Sequence, residues 1–248
     1  MGQSTTTQGT YGTGTKGPPC AGSVQDIINM LLTIEHLAMT FYYTGLTSPH
    51  VMHNRALGGP SADPNNPGLP PGGNPSNVRY LQAALDAEVK HADALVTAGA
   101  RAPYTHFYFP SRTFARLGSS THPDGFLGIM ETIEALCEGL YIAAVGELVR
   151  WRRPDLASVA AQIMGVESEH RTLGRVISGA RPPNDHILVQ QPFACVQSAD
   201  AALHPFVLGR YDPHTRDATR AVSLPSRTHV RRVIGKYGTH RVQRFLWT

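Results

Sequence analysis

The sequence predicts an all-α protein: a four-helix bundle with long loops, an extended N-terminal arm and a basic, largely irregular C-terminal extension. Three observations carry this reading. Four segments repeat apolar residues at helical spacing, their connections are strongly unequal, and every apolar stripe is broken by charge near its middle. The first segment, about 24–46, sets Ile28, Leu31, Ala38 and Tyr42 on one stripe and stops near Gly45 and Pro49. The second, about 77–98, aligns Leu81, Leu85, Ala92 and Leu95 and ends at Gly99. The third, about 125–150, aligns Leu127, Met130, Cys137, Tyr141 and Leu148. The fourth opens at Pro154-Asp155, a helix start signal, and runs through Val159 and Ile163 to Ile177 before Gly179.

The connections select a topology. Only Trp151 to Pro154 join the third and fourth helices, so those two must be antiparallel neighbours. About 26 residues separate the second and third, enough extended chain, at about 3.3 Å per residue, to cross the length of a bundle. The connection 47–76 holds 12 Gly or Pro, and loops of that length usually carry function or contact a partner. Beyond 180 no strong helix is predicted, only Pro-punctuated chain with short strands near 186–190 and 229–246. Residues 1–22 are rich in Thr, Gly and Gln and lack large apolar side chains, so their ordering requires another surface of the protein or a neighbouring subunit. The domain reading is an arm over 1–22, a bundle over 23–180 and an extension over 181–248.

Composition narrows the class. Of 248 residues, 41% are hydrophobic and 16% charged, with 24 Gly and 19 Pro, which fits a globular chain with long irregular connections. No run of 18 apolar residues is present, and the N-terminus lacks the basic start and apolar stretch of a signal peptide, so the expectation is a soluble, cytoplasmic protein without a membrane span. Three widely spaced cysteines, Cys20, Cys137 and Cys195, indicate neither a disulfide framework nor a zinc-thiolate site. Charge is uneven: residues 1–204 hold 13 Lys and Arg against 16 Asp and Glu, whereas 205–248 hold 9 against 2. That basic tail reads as a solvated or partner-facing extension, with nucleic acid as the minor alternative.

The charged interruptions carry the chemistry. Glu35 breaks the first stripe, Glu88 and His91 the second, Glu134 the third, and Glu167 and His170 the fourth. Four carboxylates in a bundle core cost several kcal/mol each unless compensated, and no Lys or Arg occupies these stripes. Two divalent cations would neutralise them. In E-x-x-H the carboxylate and imidazole share one helical face, so the first can bridge two metals while the second terminates one. An internal repeat sharpens the choice: TIEHLAMTFY at 33–42 and TIEALCEGLY at 132–141 share five of ten residues, and EVKH and ESEH follow in the same order. The repeat pairs Glu134 with Glu35, and leaves Glu138, which pairs with Met39, as a reserve ligand. Tyr42 and Tyr141, two turns after their glutamates, either pack in the core with satisfied hydroxyls or reach a ligand carboxylate as a hydrogen-bond or electron donor.

One Glu on each of two helices, E-x-x-H on the other two, and a long crossover resemble the ferritin-like superfamily of di-iron and di-manganese carboxylate proteins. TIEHLAMTFYYTGL and TIEALCEGLYIAAVG are most similar to the desiccation-related, stress-associated ferritin-like domains, over roughly residues 24–178. The resemblance implies a ferritin-like bundle holding two iron ions, or two manganese or a mixed pair. It also implies ferroxidase-type oxidation with dioxygen or peroxide in stress protection. Manganese catalase and a metal-free assembly scaffold stand as the other two readings. The arm and tail point to a homo-oligomer or larger assembly.

Overall fold

The computed structural model of the chain describes residue 20 and residues 22–57, 76–118, 124–180, 183, 192–209 and 219–235. Four long helices form the bundle: α1 (Val24–Thr47), α3 (Ser76–Thr97), α4 (Phe126–Arg150) and α5 (Pro154–Ser178), with α2 (Pro49–Met52) a single turn after α1. Their ends follow local chemistry. The Ser23 hydroxyl accepts from the Asp26 N–H while the Asp26 carboxylate accepts from the Ser23 N–H, a reciprocal cap that starts α1. Pro154 sits in the first turn of α5, and Gly179 closes it at φ 75°, a left-handed position that suits glycine.

Helices α1 and α3 pack as one hairpin, α4 and α5 as the other, and the latter two are joined by only Trp151–Arg153. The Gln25 amide donates to the Gly99 carbonyl, so α1 starts where α3 ends. Phe126, at the head of α4, lies against Gly45 near the end of α1. The chain between α3 and α4 therefore travels the length of the bundle, as the connection length predicts.

That crossover is held by the C-terminal extension. Its strand β1 (His106–Pro110) pairs antiparallel with β2 (Thr219–Ser223), Phe107 opposite Val222 and Phe109 opposite Arg220. Phe107 and Phe109 are fully buried, and Phe109 joins Phe41, Phe114, Phe126 and Phe206 in an aromatic layer at the α1/α4 junction. Within it the Phe41 and Phe126 rings stack with centroids 4.5 Å apart.

The extension holds more regular structure than the sequence predicts. A 3-10 turn (Val196–Ala199) leads into α6 (Asp200–Leu208), and α7 (Arg227–Ile234) occupies the start of the segment read as a strand over 229–246. Val230 and Ile234 are four residues apart and both buried, a helical spacing that outweighs the β-branched content, and Ser226 caps the helix. The Gln82 amide donates to the Val233 carbonyl, and Arg227 pairs with Asp93 and donates to the Val89 carbonyl, fastening α7 to α3. The strand expected near 186–190, residues 236–246, most of the arm and loop residues 58–75 lie outside the described residues.

The cysteine reading needs correction. Cys20 and Cys195 form a disulfide across a sequence separation of 175 residues, and Cys137 is a buried free thiol. The bridge arises because the extension folds back over the start of α1. The Trp151 indole N–H donates to the Gly22 carbonyl, and the buried Glu147 carboxylate accepts from the Val196 N–H. At Cys20 and Gly22 the arm is thus tied within its own chain.

Candidate metal centre

Helical periodicity alone aims the six residues at one layer. Glu35 on α1, Glu88 and His91 on α3, Glu134 on α4, and Glu167 and His170 on α5 lie in the bundle core. All four glutamates are 0% exposed, and His91 and His170 are 7% and 6% exposed. Their ligand atoms form two overlapping sets, Glu35–Glu88–His91–Glu167 and Glu88–Glu134–Glu167–His170, with all atoms of a set within 4.8 Å of one another. Glu88 and Glu167 belong to both. The imidazoles turn Nδ1 into the layer: His91 Nδ1 is 2.8 Å from Glu167 Oε1 and 3.3 Å from Glu35 Oε2, and His170 Nδ1 is 2.9 Å from Glu88 Oε1 and 3.4 Å from Glu167 Oε2.

The two tyrosines cross between the halves. The Tyr42 hydroxyl of the first repeat donates to Glu134 Oε1 of the second, and the Tyr141 hydroxyl donates to Glu35 Oε1 of the first. Among the described residues no hydroxyl, amide or guanidinium donates to the remaining buried oxygen of either glutamate, Oε2, or to either oxygen of Glu88 and Glu167, some of which only the imidazoles approach. The oxygens thus divide into a one-oxygen pair and a two-oxygen pair. That is the pattern two cations would use if Glu35 and Glu134 each served one ion and Glu88 and Glu167 spanned both.

The electrostatics of these residues are those of a buried anionic core. Burial, then the neighbouring Glu167, pushes the Glu88 and Glu134 carboxyls well above their ordinary range. Burial alone would lower His91, but the Glu35 and Glu167 carboxylates outweigh it and raise it to about 10. His170 is likewise raised to about 9 by Glu167, Glu134 and Glu35 against the cost of burial. Burial opposes ionisation of Glu167, yet the two imidazoles hold it below the usual carboxylate range. Both tyrosines are pushed up, by burial first and then by the carboxylates they touch. Protons do here, at an energetic cost, what divalent ions would do directly. The donor set of carboxylates and imidazoles, with its buried oxygens, fits such ions.

Glu138, the reserve candidate, falls outside both sets: it is fully buried and its Oε2 accepts from Arg171 on α5 at 2.6 Å. Cys137 is more than the stripe position it occupies in the sequence. Its buried thiol is pushed up by burial and by all four glutamates, which places it beside the layer, and its spacing of three residues from Glu134 is the signal for that.

Comparison with known proteins agrees with this architecture. The model of the ferritin-like domain matches residues 23–180, and the chain belongs to that family. No curated protein and no solved structure matches the chain. Fold, family and buried cluster together define a ferritin-like four-helix-bundle protein with a carboxylate–imidazole site able to hold metal.

Proposed function

We propose that the chain is a di-metal carboxylate oxidoreductase, oxidising Fe(II) with dioxygen or peroxide in a stress-protection role of the kind its resemblance to desiccation-related domains implies. The observation that carries this is the sharing of Glu88 and Glu167 between two four-residue sets, which together bury four carboxylates against only two imidazoles. Glu35, Glu88, His91 and Glu167 would hold one ion, and Glu88, Glu134, Glu167 and His170 the other. When bound, a pair of iron ions supplies one electron each to the oxidant.

The protein's own groups do the rest. Tyr141 and Tyr42 lock the Oε1 atoms of Glu35 and Glu134, so that each carboxylate presents Oε2 to the layer in one orientation. The aliphatic side chains around the layer exclude water and keep those contacts strong. Each phenol is a proton donor already hydrogen-bonded to a carboxylate, and it supports iron over manganese because it places an oxidisable group beside each half of the site.

Metal analysis of the full chain purified without added metal should give two ions per chain, and adding Fe(II) should then consume dioxygen. Rapid release of dioxygen from hydrogen peroxide by the manganese form, without Fe(II)-dependent uptake, would assign the catalase reaction instead. A chain that holds no metal would assign the scaffold role. Among the described residues no helix is long and apolar enough to cross a membrane. The Cys20–Cys195 bridge supports an oxidising compartment over the cytoplasmic one expected from the N-terminal sequence.

A further inference from the structure

A second concave site lies apart from the carboxylate layer. Where the crossover and the C-terminal extension meet the end of α1, a pocket of about 330 Å³ is formed by three stretches distant in sequence. They are the last turn of α1 with the start of α2, the chain just after β1, and Arg220 of β2. The volume lies within the range of roughly 300–1,000 Å³ typical of small-molecule sites. None of the six layer residues lines it. Thr44, which does, stands nine residues beyond Glu35, about 14 Å along the helix.

Its two walls have opposite hydrogen-bonding character. On the α1 side the Thr44 hydroxyl donates to the Thr40 carbonyl at 2.7 Å, the Thr47 hydroxyl to the Tyr43 carbonyl at 2.9 Å, and the Ser48 hydroxyl to the Phe114 carbonyl at 2.7 Å. Each spends its single proton on the backbone, so its oxygen is left to accept from whatever fills the pocket. This run belongs to the first half alone: the offset that pairs Glu35 with Glu134 pairs Thr44, Thr47 and Ser48 with Ala143, Gly146 and Glu147.

The facing wall supplies donors and positive charge. Residues directly opposite in a ladder share a face of the ribbon, and Arg220 is opposite the fully buried Phe109. Arg220 therefore leaves the ribbon on its bundle-facing side, and it lines the pocket. No Asp or Glu lines the pocket, and no carboxylate among the described residues pairs with Arg220, whereas Arg112, Arg116 and Arg227 each hold one. The Ser111 hydroxyl and a ring nitrogen of His50 add further donors. A solvated arginine needs no partner, but this one overhangs a wall of three acceptors.

We propose that this pocket binds a small polyhydroxylated anion, a sugar phosphate or a sugar acid. Its anionic group sits on Arg220 and Ser111, and its hydroxyl protons go to the oxygens of Thr44, Thr47 and Ser48. The guanidinium fork accommodates two oxygens of a phosphate or of a carboxylate equally. Inorganic phosphate matches only the cationic wall and a neutral sugar only the hydroxyl wall, so neither satisfies both. Because the walls come from the bundle, the crossover and the extension, a ligand held between them also stabilises the docking of β2. The site stands independently of the reading of the layer as a di-metal centre.

Titration calorimetry of the full chain with glucose 6-phosphate, gluconate, glucose and inorganic phosphate tests this. At least one of the two sugar anions should bind at one per chain, and at least about tenfold more tightly than glucose or inorganic phosphate. The tighter of the two assigns the anionic group as phosphate or carboxylate. Arg220→Gln should weaken that binding about tenfold and Thr44→Val about threefold, with the helical circular dichroism of both variants unchanged. Arg231→Gln, at an exposed arginine on α7, should leave it unchanged, which separates the pocket from general attraction to a basic chain. Failure of both sugar anions to bind overturns the proposal. So does inorganic phosphate binding as tightly as they do, since the hydroxyl wall would then play no part. Equal losses at Arg220 and Arg231, or no loss at Arg220, overturn it as well. None of these outcomes depends on whether the layer holds metal.

Discussion

The N-terminal hairpin, α1 with α3, and the C-terminal hairpin, α4 with α5, set the same residue types at the same depth and differ in almost everything around them. Glu35 answers Glu134, the two E-x-x-H pairs answer each other, and Tyr42 and Tyr141 reach across to the opposite half. The connections have opposite characters, 28 residues from 48 to 75 in the first hairpin and three, Trp151–Arg153, in the second. Beside the layer, Ala38 faces Cys137 and Met39 faces Glu138 in the repeat, and the aromatic layer includes Phe41 where the second half has Leu140. The halves agree in the residues that converge on the buried carboxylate–imidazole layer and diverge where only packing or chain reversal is at stake.

The most severe way to break the correspondence is to remove a residue that both halves share. Glu88→Ala or Glu167→Ala should take the metal content from two ions per chain to near zero, because each carboxylate belongs to both sets. Glu35→Ala or Glu134→Ala should leave about one ion, since each contributes to one set only. Elemental analysis of the purified variants reads the difference, and equal losses from all four would dissolve the distinction between shared and single-set carboxylates.

Next in size is the packing asymmetry. Phe41→Ala removes a fully buried ring stacked on Phe126 and in contact with Phe109 and Phe114, and should cost about 3–5 kcal/mol in urea unfolding of the metal-free chain. Leu140→Ala at the matched position leaves a smaller cavity and should fall near the low end of the range for such truncations, about 2 kcal/mol. A larger loss at Leu140 would mean that the aromatic layer is not where the bundle concentrates its stability.

These predictions lean on residues that the sequence made legible to different degrees. The bundle was legible because long amphipathic helices announce themselves by period and by punctuation such as Gly99, Pro154 and Gly179. The layer was legible because a charge on an apolar stripe is conspicuous, and because the repeat chose Glu134 over Glu138, whose carboxylate turns to Arg171. The Cys20–Cys195 bridge was not legible, since no local pattern marks two cysteines 175 residues apart. Nor were β1 and β2, which are five residues each, stabilise one another from distant parts of the chain, and have no period long enough to read alone. Helix α7 was hidden for a related reason: with eight residues it depends on Val230 and Ile234 packing on the bundle, a tertiary effect.

A gentler probe asks whether the crossed tyrosines are equivalent. Tyr42→Phe and Tyr141→Phe each free one Oε1 atom and leave all six ligand-type residues in place. Each should weaken metal binding by about 10- to 100-fold in competition with a chelator, and to the same extent, without abolishing it. A large loss at one tyrosine and none at the other would show that the repeat is matched in sequence but not in use.

The smallest effect on metal is expected at Glu138, where the two halves differ in kind. Glu138 is as buried as the four layer glutamates and lies one turn from Glu134, so burial and spacing alone would nominate it as a ligand. What separates it is its partner: Oε2 accepts from the Arg171 guanidinium at 2.6 Å, a cation the chain itself supplies. Glu138→Ala should therefore leave two ions per chain. Its cost should appear in folding stability, at about 1–3 kcal/mol, because a mostly buried guanidinium loses a carboxylate. Glu138→Met, which copies Met39 of the first half, restores the volume but not the charge, so it should recover part of that stability and again leave the metal content unchanged. If instead Glu138→Ala empties the site while Glu134→Ala spares it, the pairing of Glu35 with Glu134 drawn from the repeat is wrong, and Arg171 would be releasing Glu138 to the layer when metal arrives.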